Sequence, residues 1–266
     1  MIHSLAYGDF RYFRMARTFL GRALYWTGVY LVDGLLVDSG PPNLARDVRR
    51  LVSELGVRQC VTTHSHEDHS GNHALLAGAL RITPLAHAVA AGRLAQRDAA
   101  PQLYRRLAWG VREPVHVAAL GDWLETPHHR FQVIHTPGHA PDHVALWEPR
   151  RGLFSGDLYV APKLRYLRAD EDVHAMIESL RRLIALEPVA LFCQHRGQVE
   201  HGSTRLRHKL EFLLELGERI QALRGRGLDE AEIARALPGS DLFWRLWTGG
   251  DFSKRNFVTA FLRPRS

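Results

Sequence analysis

The sequence predicts an α+β protein with two β-sheets, flanking helices and a small helical unit at the C-terminus. Short apolar strand patterns alternate with helical segments in the first hundred residues, and four more short strand patterns follow between residues 115 and 154. After His201 the strand patterns cease and leucines recur at helical spacing. The 266 residues, 45% of them hydrophobic, suffice for one large domain or two smaller ones.

The first predicted elements are a β-hairpin, a helix and a buried strand. Two apolar runs between Tyr25 and Asp38 flank an Asp33-Gly34 turn, a sequence typical of hairpins. A helix is predicted from Pro42 to a C-terminal cap at Gly56, because leucines and valines recur there every three to four residues. The strand predicted over 57–63 then leads directly into the hexapeptide HSHEDH.

The middle of the chain predicts a second set of strands. Glycine and proline interrupt the pattern between them, as turns require. The predicted helices are 74–78, 86–97 and 172–186, and the predicted strands are 81–85, 115–120, 130–135, 143–147, 152–154 and 189–194.

A composition change near residue 203 divides the chain into a predicted catalytic domain, 1–203, and a C-terminal helical unit, 204–266. A long amphipathic helix runs from Leu206 to Leu223, a capping box at Asp229 opens a short helix, and Ser253 caps the last one. We expect the aromatic residues of this unit to be packing residues: Phe243, Trp244, Trp247 and Phe252.

Composition and charge limit the classes of partner. The formal charge of +7 favours anionic ligands, but the arginines are spread along the chain, which favours a solvated surface over a dedicated nucleic-acid patch. Neither a membrane span nor a signal peptide is recognisable, so we expect a cytoplasmic protein. Cys60 and Cys193 lie in apolar segments and are predicted to be buried free thiols, with a role as soft metal ligands as the alternative.

The hexapeptide from His64 to His69 is the strongest functional signal in the sequence. It places four nitrogen or oxygen donors, His64, His66, Asp68 and His69, immediately after a buried strand. Neither a strand nor a helix would point all four side chains to one place, whereas a loop leaving a strand can fold them around a small volume. The motif therefore predicts a metal site.

Three further donors also follow predicted strands. His139 lies in HTPGHAPDH, Asp157 in LFSGD, and His195 after VALFCQ. Side chains at strand ends in a layered fold converge on one edge, so we expect these donors to join the first four. One zinc ion binds only four ligands, which is fewer than the sequence offers.

These motifs, in this order, resemble those of the metallo-β-lactamase superfamily over about residues 24–200, including an early VDSG whose Asp38 would support the metal loop. The resemblance implies a four-layer αββα sandwich with a two-metal site at one edge. His64, His66 and His139 would hold one ion, Asp68, His69 and His195 the other, and Asp157 would bridge them. Near His195, relatives often show a different turn, which leaves His201 as the alternative last ligand. The C-terminal unit resembles winged-helix additions of some relatives.

The resemblance also implies a mechanism and cofactors. Two divalent ions, zinc first and iron or manganese as alternatives, would share a hydroxide that attacks the substrate, and Asp68 and Asp157 would be the catalytic carboxylates. Three residues after Asp157 are candidates for contacts with an anionic substrate: Tyr159, Lys163 and Arg165. The segment from Gln102 to Trp109 is a candidate cover of the cleft.

We expect the substrate to be a small carbonyl compound, such as a thioester, lactone or ester, as in the glyoxalase II and lactonase branches. The first alternative is hydrolysis of RNA or DNA phosphodiesters, which the basic charge favours and the lack of a large insertion disfavours. The second is a sulfur dioxygenase with a single iron ion. The sequence is compatible with a homo-oligomer.

Overall fold

A computed structural model describes residues 1–97 and 102–264 of the chain. Its strands are β1 (Ile2–Tyr7), β2 (Phe10–Met15), β3 (Thr18–Phe19), β4 (Arg22–Ala23), β5 (Thr27–Val32), β6 (Leu35–Val37), β7 (Gln59–Val61), β8 (Leu85–Ala86), β9 (Ala118–Ala119), β10 (Trp123–Glu125), β11 (Arg130–His135), β12 (Val144–Glu148), β13 (Gly152–Phe154), β14 (Leu167–Arg168), β15 (Ala190–Cys193), β16 (Gly197–Glu200) and β17 (Phe252–Ser253). Its helices are α1 (Ala45–Glu54), α2 (Glu67–Ser70), α3 (His73–Leu80), α4 (Ala88–Leu94), α5 (Leu103–Ala108), α6 (Val173–Ile184), α7 (Gly202–Gly225), α8 (Glu230–Ala236), α9 (Leu242–Trp247) and α10 (Lys254–Leu262).

Two large sheets form the centre of the molecule. The first has the strand order β1-β2-β5-β6-β7-β8-β9 and the second the order β10-β11-β12-β13-β15-β16. Within the first sheet β6 and β7 run parallel, and within the second β13 and β15 run parallel. Strands β3 and β4 form a separate hairpin, while β14 pairs with β17.

The inner faces of the two sheets pack against each other through aromatic side chains. The ring centroids of Phe10 and Phe192 lie 4.9 Å apart, and those of Tyr30 and Phe154 lie 5.1 Å apart. All four residues belong to one buried apolar cluster. Aromatic pairs at these distances add to the free energy gained from burial, so this layer fixes the two sheets against each other.

Helices cover both outer faces of this sandwich. Val48 of α1 and Leu76 of α3 pack in one buried cluster with Leu36 of the first sheet. On the other side, Leu180 of α6 and Leu213 of α7 share a cluster with residues of the second sheet. The layers are therefore helix, sheet, sheet and helix, as expected.

The C-terminal helices pack into the same apolar cluster as the second sheet. Leu153 and Leu191 of the sheet and Phe257 and Phe261 of α10 are all buried in it. The division at residue 203 remains a prediction, and the last two residues of the proposed unit, 265 and 266, lie outside the described part. No helix among the described residues is long and apolar enough to cross a membrane.

Most predicted elements are present, and the differences have local causes. The hairpin at Asp33-Gly34, the helix 172–186 and both caps of the C-terminal unit are confirmed. The strand predicted over 81–85 is wrong, because Arg81 adopts a left-handed conformation (φ 55°) that ends α3, leaving only Leu85–Ala86 extended. The sequence patterns also missed β1, β2 and α9. Both cysteines are buried and free, as predicted.

Candidate metal centre

The loops that carry the predicted donors lie at one edge of the sandwich. The parallel strands β6 and β7 end side by side, with Val37 paired to Val61, so Asp38 lies beside the start of the HSHEDH segment. The predicted loop covers only the first half of this segment, because Glu67–Ser70 form helix α2, which begins directly after His66. In the second sheet Phe154 pairs with Phe192 on parallel strands, so the loops carrying Asp157 and His195 leave together. Because the carboxyl ends of parallel strands meet at a sheet edge, side chains that are far apart in the sequence converge at this edge of the sandwich.

The structure brings all seven predicted donors together. Three groups have ligand atoms within 4.8 Å of one another, and they share two of the histidines: His64, His66 and His139; His64, His69 and Asp157; Asp68, His69 and His195. The alternative ligand His201 is an exposed residue at the start of α7. The geometry therefore favours His195 over His201.

Outer hydrogen bonds orient the imidazole rings of this cluster. Nδ1 of His69 lies 2.8 Å from Oδ2 of Asp38, the residue expected to support the metal loop. The same carboxylate accepts the backbone N–H of Thr63 at 2.7 Å. Asp38 thereby fixes both the loop and the ring of His69, and it leaves Nε2 of that ring to point inward.

Two further rings are held in the same way. Nδ1 of His139 lies 2.5 Å from Oε1 of Glu171, and Nδ1 of His195 lies 2.8 Å from the carbonyl oxygen of Trp26. A neutral imidazole that donates from Nδ1 keeps the lone pair of Nε2 free. Both rings are therefore set in the tautomer that presents Nε2 to the centre.

His66 has the opposite orientation. Its Nδ1 lies 2.8 Å from Nε2 of His64 and 3.0 Å from Nε2 of His139, so Nδ1 is the inward atom. Its Nε2 lies 3.1 Å from Nη1 of Arg168, a guanidinium that is only 5% exposed. The same Nη1 atom lies 3.4 Å from Nδ1, so the buried guanidinium lies beside both nitrogens of this ring.

Burial and charge set the protonation of the cluster. Burial lowers the pKa of His64 and of His66 well below the usual value, which leaves both imidazoles neutral. Burial also opposes charge on Asp157, but the neighbouring His195 and His69 outweigh it and hold the pKa of this carboxyl well below its usual range. Burial raises the pKa of Asp68.

The arrangement fits a bound cation. Nε2 of His69 and Oδ1 of Asp157 lie 3.4 Å apart, and both are buried without a hydrogen-bond partner among the described residues. Buried polar atoms are rarely left unpaired, and the inward nitrogens of the neutral His64 and His66 rings lie 2.8 Å apart, where a cation between them would stabilise both. Nitrogen and carboxylate oxygen donors suit zinc, iron or manganese.

Neighbouring polar residues stabilise the loops. His143 accepts the backbone N–H of Asp157 at 3.1 Å and so supports the loop that carries this carboxylate. Asp142 accepts the backbone N–H of Ser65 at 2.7 Å, which ties two ligand loops together. Glu67, the remaining acidic residue of the hexapeptide, forms a bidentate ion pair with Arg105 of α5.

A cavity of about 370 Å³ opens beside the cluster. Lys163 and Arg165 line it and are exposed, and Trp109 of the candidate cover segment lines it too. Tyr159 does not line it: this residue is 3% exposed and packs in the apolar core. The proposed substrate contact of Tyr159 is therefore corrected, because strand and loop geometry turn its side chain inward.

Several residues of the cavity and the cluster have no signal in the local sequence. Tyr25, Lys209, Trp244 and Phe252 line the cavity, and Glu171 both lines it and holds His139. Their positions depend on contacts between segments far apart in the chain. A carboxylate a short distance after the Asp157 motif is the only local feature that could have indicated Glu171.

Lys209 is a buried cation in the cavity wall. It is 1% exposed, and its Nζ donates to the carbonyl oxygen of Leu158 at 2.5 Å. Burial lowers the pKa of this ammonium to about 8. A positive charge therefore lies directly behind the loop that carries Asp157.

Comparison with known proteins places the chain in a family. The model of the metallo-beta-lactamase superfamily matches residues 29–195. A hydroxyacylglutathione hydrolase of Rhodospirillum rubrum is 29% identical over 199 residues, covering 73% of this chain and 67% of that protein. A beta-lactamase-like protein 2 homolog of Drosophila melanogaster is 24% identical, covering 75% and 73%.

Solved structures show the same fold. A beta-lactamase domain protein from Burkholderia ambifaria aligns with a TM-score of 0.68 at 19% identity, covering 97% of this chain and 87% of that one. A metallo-beta-lactamase family protein from Thermus thermophilus aligns with a TM-score of 0.65 at 21% identity, covering 96% and 92%. With the αββα layers and the donor cluster at one edge, the family match over most of the first 195 residues means that this chain belongs to the metallo-beta-lactamase superfamily and is one of its hydrolases.

Proposed function

We propose that this protein is a dinuclear metal-dependent hydrolase of small acyl compounds, with thioesters as the preferred class. The observation that carries the proposal is the overlap of three donor groups that share His64 and His69. One ion would be held by His64, His66 and His139, a second by Asp68, His69 and His195, with Asp157 between them. Such ions, when bound, polarise a carbonyl group and lower the pKa of a water molecule towards neutrality.

The chain supplies groups for the remaining steps. Asp68 lines the cavity, so its carboxylate is placed to accept a proton during hydrolysis. Tyr25 lines the cavity and is 38% exposed, and a tyrosine hydroxyl has a pKa of about 10 in water. That hydroxyl therefore stays protonated and can donate a hydrogen bond to a substrate oxygen.

Thioesters are preferred to lactones and esters for two reasons. The hydroxyacylglutathione hydrolase relatives are named for an acyl group carried on the thiol of glutathione. Lys163 and Arg165 also provide exposed positive charge at the cavity. The anionic thiol carrier of a bound thioester would extend out of the cavity past these two side chains. The metal is proposed to be zinc, with iron as the alternative, since a structural neighbour at 27% identity was solved in a di-iron-bound form.

Metal analysis of the purified protein and a panel of acyl-glutathione thioesters, lactones, β-lactams and RNA test the proposal. We expect about two metal ions per chain and cleavage of thioesters. Asp157→Ala should lose at least a hundredfold in kcat/KM, whereas Asp122→Ala, at an exposed carboxylate distant from the cluster, should not change it. Equal activity of Asp157→Ala, or cleavage of RNA in place of thioesters, would overturn the proposal.

A further inference from the structure

The C-terminal unit contributes an aromatic wall to the metal-side cavity. Trp244 of α9 and Phe252 of β17 line this cavity together with His66, Asp68 and other donors of the cluster. Both aromatic side chains are only partly buried, which leaves part of each ring free to contact a ligand. The sequence pattern predicted both as packing residues, but both line the cavity beside the donors.

This wall is continuous with a neighbouring loop. The ring centroid of Tyr166 lies 5.3 Å from that of Trp244 and 5.2 Å from that of Phe252. Along residues 163–166 exposed and partly buried side chains alternate, so Lys163 and Arg165 face solvent while Tyr166 faces the aromatic wall. The cavity therefore has one aromatic wall and a cationic rim, while the donors and the buried Arg168 and Lys209 line the rest of it.

A backbone ladder holds the wall next to the donors. Strand β17 pairs antiparallel with β14, which places Phe252 opposite Arg168. Nη1 of Arg168 is 3.1 Å from Nε2 of His66, and the Nδ2 group of Asn256 donates to the carbonyl oxygen of Leu167 at 2.9 Å. The aromatic wall is thus tied, through two strands, to a donor of the proposed metal site.

We propose that Trp244, with Phe252 and Tyr166, forms the subsite for the apolar acyl chain of the substrate, so that the C-terminal unit determines acyl-chain specificity. The inference rests on the proposed thioester hydrolysis. A thiol carrier is large and charged and fits the cationic rim, whereas the smaller acyl part fits against the aromatic wall inside a cavity of about 370 Å³. Substrates would then be thioesters of unbranched or aromatic apolar acids.

Phe243 provides a matched control for Trp244. It is the neighbouring residue on α9, but it is 68% exposed and is not among the residues that line the cavity. Truncating either residue removes an aromatic ring from the same helix. Only truncation of Trp244 removes a ring from the proposed acyl subsite.

The test measures kcat/KM for acetyl, butanoyl, hexanoyl and octanoyl thioesters of N-acetylcysteamine. In the native protein each added methylene should raise kcat/KM about fourfold until the cavity is full, as burial of a methylene predicts. In Trp244→Ala the increment should fall below about twofold while the acetyl thioester changes little, and Phe243→Ala should keep the native increment. The same chain-length dependence in Trp244→Ala as in the native protein, or none in the native protein, would overturn the inference.

A binding measurement separates this inference from the proposed function. If no thioester is cleaved, the proposed function fails, and calorimetric titration with acetate and hexanoate then tests the subsite alone. Trp244→Ala should bind hexanoate about tenfold more weakly than Phe243→Ala does, with equal binding of acetate, and equal binding of hexanoate would overturn the subsite. Trp244→Phe, which keeps an aromatic ring and preserves the packing of α9, should give an intermediate increment and serves if Trp244→Ala does not fold.

Discussion

Glu171 offers a direct test of how the proposed metal centre is oriented. Its side chain is 8% exposed, and its two oxygens have different partners: Oε1 lies 2.5 Å from Nδ1 of His139, and Oε2 accepts the backbone N–H of Arg168 at 3.0 Å. Glu171→Gln keeps the shape of the side chain but replaces one acceptor oxygen with an NH₂ group. One of the two donors must then face another donor.

The magnitude follows from the role of the carboxylate. Burial opposes charge on Glu171, but the hydrogen bond from His139 outweighs it and lowers the pKa of this carboxyl, so Glu171 is ionised at neutral pH. Loss of an outer carboxylate behind a metal-binding histidine costs about ten- to a hundredfold in metal affinity, or about 1.4 to 2.8 kcal/mol. We expect a loss in this range for the ion held by His139, with little effect on the ion held by Asp68 and His195.

The assay is a titration of the metal against a chromophoric chelator that resolves two binding steps. Glu178→Gln is the control, because Glu178 is an exposed carboxylate on α6 that pairs with Arg181. Only one of the two binding steps should weaken in Glu171→Gln, and neither should weaken in Glu178→Gln. Native affinity for both ions in Glu171→Gln would refute the orienting role of this carboxylate.

Three further predictions concern stability. Gly138 has φ 138°, and a Cβ at this position would lie 2.5 Å from the backbone of α6. Gly138→Ala should therefore lower the free energy of unfolding by at least about 2 kcal/mol. Gly78→Ala is the control and should not destabilise the fold, because a Cβ at Gly78 on α3 would meet open space. Burial lowers the pKa of Lys209 to about 8, so the unfolded chain binds this proton more tightly than the native chain does. The free energy of unfolding should therefore rise by about 3 kcal/mol between about pH 8 and pH 10.5. A Lys209→Met protein that showed the same rise would contradict this explanation. Arg105→Met leaves the buried Glu67 unpaired and should cost about 3 to 5 kcal/mol in denaturant unfolding, most of it recovered when Glu67→Leu is added; no recovery would exclude the buried ion pair as the cause.

The donors were identifiable from the sequence because each follows a strand whose apolar pattern is local. His64, His66 and His69 are six residues or fewer apart, and His139, Asp157 and His195 each follow a turn that ends a strand. Local periodicity predicts strands, and a strand end predicts a loop, so the positions of these residues in the fold required no knowledge of distant contacts.

The cavity was not identifiable in the same way. Tyr25, Lys209 and Trp244 line it from three segments that are far apart in the sequence, and none lies in a motif. Tyr159, close to Asp157, was expected in the cavity but lies in the core. Which side chains meet there depends on how α7 packs against the second sheet, how β17 pairs with β14 and how α9 lies against β17, which are long-range contacts that adjacent residues do not encode.

The sequence by itself determined an α+β chain with two sheets, the seven candidate donors and their order, because hydrophobic period and motif spacing are local quantities; the four-layer sandwich followed from the resemblance to the superfamily. Only the tertiary structure decided that His195 and not His201 joins the cluster, that Glu171 stands behind His139, and that Trp244 faces the centre. The physical reason is that ring orientation and cavity shape arise from hydrogen bonds and packing between segments separated by tens of residues, and the free energies of those contacts exist only once the chain has folded.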